Sequence, residues 1–307
     1  MSSALALEQL LNAFQFGLML FLLAAGLTLV FGIMDLINLA HGSLYMLGAY
    51  MMVTFMGLTG NFFAGVVLAL AATAICGMLI ELVVLRRLYQ RDHLAQVLAT
   101  FGLILCINET VRWIWGPQQI ALSAPAVLSG SVSLGNGFVY SKYRLGIIVV
   151  GLLVAFGLFW LVNRTRLGMW IRAGASNRTM ATALGVDIRR LYTLVFGLSA
   201  ALCALAGAVL GPLLSVSVGM GESIIILAFV VIVIGGIGSI RGALVGSLLV
   251  ALADTFGRAY LPSLLRPLFG RAEVAESLAA AAGSILIYVL MAAVLAWRPA
   301  GLFPARG

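Results

Sequence analysis

Charge is what this sequence has least of. Only 9% of its 307 residues are Asp, Glu, Lys or Arg, against roughly 25% in a soluble domain. That deficit excludes an ordinary water-soluble fold. Lysine is nearly absent, since Lys142 stands alone among eighteen basic residues. A phosphate-cradling loop of the Gly-x-x-x-x-Gly-Lys-Ser/Thr type needs a lysine that is not there, so any P-loop ATP-driven step must be supplied by another chain. Cysteine is scarce too. Cys76, Cys106 and Cys203 lie in apolar segments without metal-ligand spacing, and they read as small core residues. The first segment has no basic leader and no clear cleavage site, so it is expected to be a retained span and not a removed signal peptide.

What is present is apolar length. Residues 9–34, 145–163, 191–221 and 277–297 carry no charge. Each run is long enough to cross about 30 Å of hydrocarbon at about 1.5 Å per residue. The expected fold is an all-α polytopic membrane protein with about 8–10 transmembrane or half-membrane helices, some of them interrupted by glycine. The net charge of +8 reflects arginines in membrane loops before it points to nucleic acid, and no nucleic-acid partner is expected.

In chain order, spans are expected at 10–31, 33–56, 62–85, 93–115, 145–162 and 191–210, the last ended by Gly211-Pro212. A long apolar segment opened by Glu222 is expected to break at 235–243 and resume to 256, with a connection at 257–276 and a final span at 277–297. Residues 116–144 form the longest polar connection, with a short hairpin expected within 126–134. Residues 163–190 form an arginine-rich polar loop. Within it, 173–184 reads as a short amphipathic helix, Gly185 as its C-cap and Asp187 as the start of the next helix. Arginine asymmetry places 163–190 in the cytoplasm and 116–144 outside it. The whole of 1–307 is expected to be one transmembrane domain.

Two interruptions hold the chemistry. The first is a polar knot of Asp35, Asn38, His41 and Ser43 inside GLTLVFGIMDLINLAHGSLYMLGAY. A charge at the bilayer centre costs about 3 kcal/mol or more. The knot therefore reads either as the lining or gate of a translocation path or as a segment resting at the headgroups. The second is GGIGSIRGA at 235–243. Arg241 stands where a dinucleotide fingerprint needs its third glycine, so the stretch reads as a helix break, with Gly242 and Gly246 as a packing face. Arg241 joins the candidate path residues, as a cap for broken helix carbonyls or as a partner for Asp35 or Glu222. The two interrupted segments share a rhythm that reads as a weak internal repeat. Glu81, Glu109, Glu222 and Asp254 fall near span ends and are expected at the membrane interface. His41 and Ser43 lack the elbow of a hydrolase, so no catalytic residue and no enzyme activity are expected. No metal ligand or cofactor is expected either.

Four motifs in order resemble the branched-chain amino acid type of ABC-transporter permease. They are the knot segment just quoted, RAGASNRTMATALGVDIRRLY, VIGGIGSIRGALVGSLL and the tail RPAGLF. The chain resembles the smaller of that family's two inner-membrane permease subunits. The resemblance implies a second related permease, two cytosolic ATPase subunits and an extracytoplasmic substrate-binding protein, all at the lipid bilayer of a bacterial inner membrane. It implies ATPase coupling through Arg172, Ala173, Met180, Ala183, Leu184, Gly185 and Val186, and a path near Asp35, Asn38, His41 and Ser43. Ser176-Asn177-Arg178-Thr179 departs from the acidic-basic-acidic patch common in the family, and Ser43 stands where an acidic residue is frequent. A self-sufficient secondary transporter or channel is the competing reading.

Overall fold

The computed structural model describes residues 3–133, 139–269 and 272–304. Helices α1 (Ser3–Met34), α2 (His41–Thr59), α3 (Phe62–Val83) and α4 (His93–Trp115) come first. A two-stranded hairpin follows, β1 (Ser131–Ser133) with β2 (Val139–Ser141). Then come α5 (Lys142–Arg164), the short α6 (Arg166–Ser176) and α7 (Arg178–Ala183), α8 (Ile188–Leu214), α9 (Met220–Gly235), α10 (Ile240–Phe269) and α11 (Ala272–Trp297). Seven of these, α1 to α5, α8 and α10, are long and apolar enough to span a membrane, and the 16-residue α9 is a shorter apolar piece. The all-α polytopic expectation holds.

Which helices are inside follows from which side chains are covered. The stretch from Leu18 to Leu27 on α1 is buried throughout, and α8 buries most of its length. Outer helices α3, α4 and α5 instead expose large apolar side chains, among them Val67, Leu79, Phe101, Leu153 and Phe156. Lipid tails accept such a surface at no hydrophobic cost. Contacts along the helices fix their directions. Gly26 of α1 lies against Ser199 of α8, and Ile33 lies by Tyr192, so α1 and α8 are antiparallel. Gly77 lies against Ala200, and Glu81 bonds Thr193, so α3 and α8 are antiparallel as well. The chain thus alternates between two faces. One carries the start of α1 and the β-hairpin. The other carries the 84–92 turn, α6, α7 and the break between α9 and α10, and it gathers Arg86, Arg87, Arg91, Arg164, Arg166, Arg172, Arg178, Arg189 and Arg190.

Several expected boundaries move. The second span does not start at residue 33. Asp35 takes a left-handed backbone (φ 54°), and the chain stays non-helical until His41. Gly211-Pro212 does not end α8, which runs on to Leu214. Proline in the last turn removes a single ladder bond. Residues 257–269 continue α10 instead of forming a connection, and α11 begins at Ala272. Proline within a membrane helix is tolerated when neighbours satisfy the freed carbonyl. The hairpin lies later than expected, with Val132 opposite Tyr140. Residues 126–128 form a 3-10 turn, and 134 lies outside the described residues. The break at 235–243 is present, and Gly242 and Gly246 pack on Gly235 and Val231.

Candidate functional site

The knot divides between surface and interior. Asp35 is exposed at the arginine-rich face, where α1 ends. From there the chain turns back into the bundle. The Ile37 amide donates to Gln96 Oε1 of α4 (3.3 Å), and the Gln96 amide in turn donates to the carbonyls of Leu88 and Arg91. Asn38 is 1% exposed, and neither polar atom of its side chain has a hydrogen bond among the described residues. Leaving such a group unpaired costs about 1–3 kcal/mol. His41, wholly buried, opens α2. Its Nε2 lies 3.2 Å from the Leu23 carbonyl oxygen and 2.9 Å from Cys203 Sγ, while Nδ1 has no partner among the described residues. Leu23 and Cys203 are central on α1 and α8, so α2 begins in the interior of the bundle. Ser43 is buried beside it.

At that depth α2 meets α9. A Cβ on Gly42 would strike the Gly221 carbonyl, and a Cβ on Gly221 would strike the Gly42 carbonyl. Two helix N-termini therefore touch backbone to backbone, a contact open only to glycine. The preceding geometry matches. Each long central helix, α1 and α8, ends on a non-glycine residue with positive φ, Asp35 (54°) and Ser215 (58°). A short non-helical stretch then leads to His-Gly-Ser in one case and Met-Gly-Glu-Ser in the other. Because α1 and α8 are antiparallel, α1–α2 and α8–α9 form an inverted pair. The sequence rhythm had matched α1–α2 with α9–α10, which is also helix, break, helix. The correspondence with α8–α9 leaves no mark in the sequence, because the two stretches share only Gly and Ser.

Arg241 stands apart from this centre. It is exposed in the first turn of α10, with its guanidinium 5.2 Å from the Phe159 ring centroid. Among the described residues no ion pair joins it to Asp35 or Glu222. Glu222 instead accepts from Asn108 Nδ2 at 2.7 Å, tying α9 to α4.

Most residues of the expected coupling segment are exposed. Met180, Ala183, Leu184 and Gly185 face outward, as does Arg172, whose guanidinium bonds the Val162 carbonyl; Ala173 and Val186 are half-buried. The single helix expected over 173–184 is two helices. Asn177 adopts an extended backbone, ends α6, and caps α7 by accepting from the Met180 amide at 2.9 Å. A short amide side chain that can replace a backbone partner favours such a cap over helix interior. Gly185 terminates the segment at φ 88°, and Asp187 caps α8 through the Arg190 amide. Gly174 of α6 packs near Leu191, Ile188 and Ile33. The exposed pair α6–α7 thus bears directly on the end of α1, where the Tyr192 hydroxyl also donates to the Ile33 carbonyl.

Glu81 was expected at an interface and is wholly buried. It pairs with Arg86 (3.2 Å) and accepts from the hydroxyls of Tyr89 and Thr193 (both 2.7 Å). Three partners offset the cost of burying the carboxylate. Burial and this carboxylate both raise the Tyr89 phenol above its ordinary range. No standard helical spacing links Glu81 to Arg86 and Tyr89, so sequence offered no signal for the cluster.

Broken helices that meet tip to tip inside a bundle of apolar spans define a multi-pass membrane transport protein. The chain belongs to the family described as branched-chain amino acid transport system / permease component, whose profile matches residues 9–295. It is similar to the high-affinity branched-chain amino acid transport system permease protein BraD of Pseudomonas aeruginosa, with 35% identity covering 82% of this chain and 86% of that one. The LivH permease of Escherichia coli K12 is 31% identical over 83% of this chain and 87% of its own length. The fructose import permease FrcC of Rhizobium meliloti is 31% identical over 51% of this chain and 44% of its own. No solved structure matches. The protein is a multi-pass inner-membrane permease.

Proposed function

We propose that this chain is a permease subunit of an ATP-binding-cassette importer. With a second related permease it forms the path for a branched-chain amino acid or a similar small amphipathic solute. ATP hydrolysis is supplied by two cytosolic ATPase subunits, and an extracytoplasmic binding protein delivers the solute to the hairpin face. The arginine-rich face is the cytoplasmic one by the positive-inside bias.

The observation that carries this reading is the mechanical line from surface to centre. Met180 and Leu184 present large apolar side chains on exposed α7 and the turn after it, flanked by Arg178 and Arg189. A cytosolic subunit docking there would press α7 and α6 against Ile33. Ile33 lies two residues before the φ-positive Asp35 that starts the break. A displacement at α6–α7 therefore reaches the hinge of α2 and the Gly42–Gly221 contact. Alternating access requires that the ATP-bound complex interact differently with the two positions of this hinge. Asp35, Asn38, His41 and Ser43 follow that hinge into the path. The unpaired Asn38 amide acquires its partner when α2 shifts, a change that offsets its cost in the other state.

The test is uptake of radiolabelled leucine by proteoliposomes. Uptake is expected only when both permeases, the ATPase pair, the binding protein and ATP are present. Uptake by this chain alone under an ion gradient supports a secondary transporter instead. Hydrolytic activity lost in Ser43→Ala, with assembly intact, supports an intramembrane enzyme instead.

A further inference from the structure

A second polar site lies far from the knot. Near the hairpin face, α1, α5 and α10 border an open cavity of about 390 Å³ lined by Asn12, Gln15, Phe16, Arg144, Asp254 and Arg258 among others. Of its charged groups Asp254 is buried, Arg144 half-buried and Arg258 exposed. Asp254 is 8% exposed as a residue and pairs with Arg258 Nε at 2.7 Å. Asn12 Oδ1 accepts from Arg144 Nη1 at 2.5 Å and from the Tyr140 hydroxyl at 3.2 Å. Among the described residues Arg144 has no carboxylate partner. Gln15 is 5% exposed and lines the cavity.

We infer that this cavity binds the zwitterionic head of an α-amino acid on its way into the path. The lining carries two guanidiniums and one carboxylate, a balance of +1. One cation is already matched by Asp254, and the other, Arg144, is held by the neutral Asn12 and keeps donors for a carboxylate. A planar guanidinium holds a carboxylate through two parallel hydrogen bonds. Asp254 and the Gln15 carbonyl oxygen accept from the ammonium. Phe16 and Ala259 offer apolar surface to the side chain. The cavity opens at the face assigned to the binding protein, where a released solute first meets the permease. The inference rests on the proposed transport of an amino acid and adds a binding site to it.

The experiment uses the assembled transporter with its binding protein left out, in nanodiscs, and measures equilibrium binding of radiolabelled leucine. Leucine amide, which lacks the carboxylate, and 4-methylpentanoate, which lacks the ammonium, serve as competitors. Wild type is expected to bind leucine and to be displaced by neither analogue. Arg144→Gln is expected to weaken binding roughly tenfold to a hundredfold, the range for losing one hydrogen-bonded charge, while Arg144→Lys keeps part of it. Gln15→Leu is expected to weaken it roughly tenfold. Assembly of each variant is checked by co-purification of the ATPase pair. Leucine binding unchanged in assembled Arg144→Gln and Gln15→Leu overturns the site. So does a loss confined to docking of the binding protein, which makes the cavity a protein contact. Complete-system uptake in wild type is measured in parallel. If wild type fails to import leucine, the transport reading falls, and if it imports leucine while the variants bind normally, only this site falls.

Discussion

At the residue scale, the buried amide of Asn38 carries the sharpest expectation. Replacing it with leucine removes an unpaired polar group and keeps the branched shape of the side chain. Asn38→Leu is expected to stabilise the detergent-solubilised protein by about 1 kcal/mol and to slow uptake, because the partner gained on shifting is lost. Thermal unfolding and proteoliposome flux measure the two effects, and faster uptake together with lower stability contradicts the assignment. Gly42→Val has the opposite character. Its side chain meets the backbone of Gly221, so loss of assembled protein is expected on size-exclusion chromatography. Of the polar knot, the sequence disclosed the residues and their clustering, since charge and amide stand out in an apolar run. It did not disclose that Asp35 faces out while Asn38 and His41 face in. That split depends on a left-handed backbone at Asp35, where the common choice is glycine. Cys203 and Ser199 near His41 were invisible for another reason: small residues in a small-residue helix carry no periodic mark.

Elements were legible where hydrophobic length decided them. Helix α4 fell where the expected span stood, and the ends of the others moved by up to eight residues, as at the start of α2, or, at α10, by a full connection. The coupling segment shows why. Ala and Met at helical spacing predicted one helix, but Asn177 supplies a local cap that outcompetes a single additional turn. Gly185 terminates the segment as expected, and its test follows from its geometry. Proline fixes φ near −65°, against 88° here, and removes the amide that donates to Thr182 at 2.9 Å. Gly185→Pro is expected to leave membrane insertion and basal ATP hydrolysis intact and to lower uptake by about tenfold or more through misplacement of α7. Normal uptake in that variant removes the coupling role. Glu81 binds elements together: α3, the 84–92 turn and α8. Glu81→Leu is expected to destabilise by about 1–2 kcal/mol, since it removes the acceptor of two hydroxyls and of a partly exposed Arg86, read as a lower midpoint in thermal unfolding.

The whole molecule is a layered membrane body with α1 and α8 inside and α3, α4 and α5 outside. Composition predicted that class, because nothing else accommodates so little charge in so many long runs. The inverted relation of α1–α2 to α8–α9 was beyond the sequence, since the match lies in backbone angles and direction. The alternation of faces gives a test of orientation. In a cysteine-free background, Leu58→Cys near the hairpin face is expected to react with an impermeant maleimide in intact cells. Leu184→Cys is expected to react only after permeabilisation. Both positions are strongly exposed (76% and 78%), so the reverse pattern inverts the assignment of faces and of both proposed docking sides.

The seam between Gly42 and Gly221 has one further consequence. Helices usually interlock through side-chain ridges, and such ridges resist sliding. Here the two glycines oppose main chain to main chain, with the Ile225 side chain alongside Gly42. The joint works as a bearing: it carries close contact between two halves of the molecule while offering little friction to a rotation of one past the other.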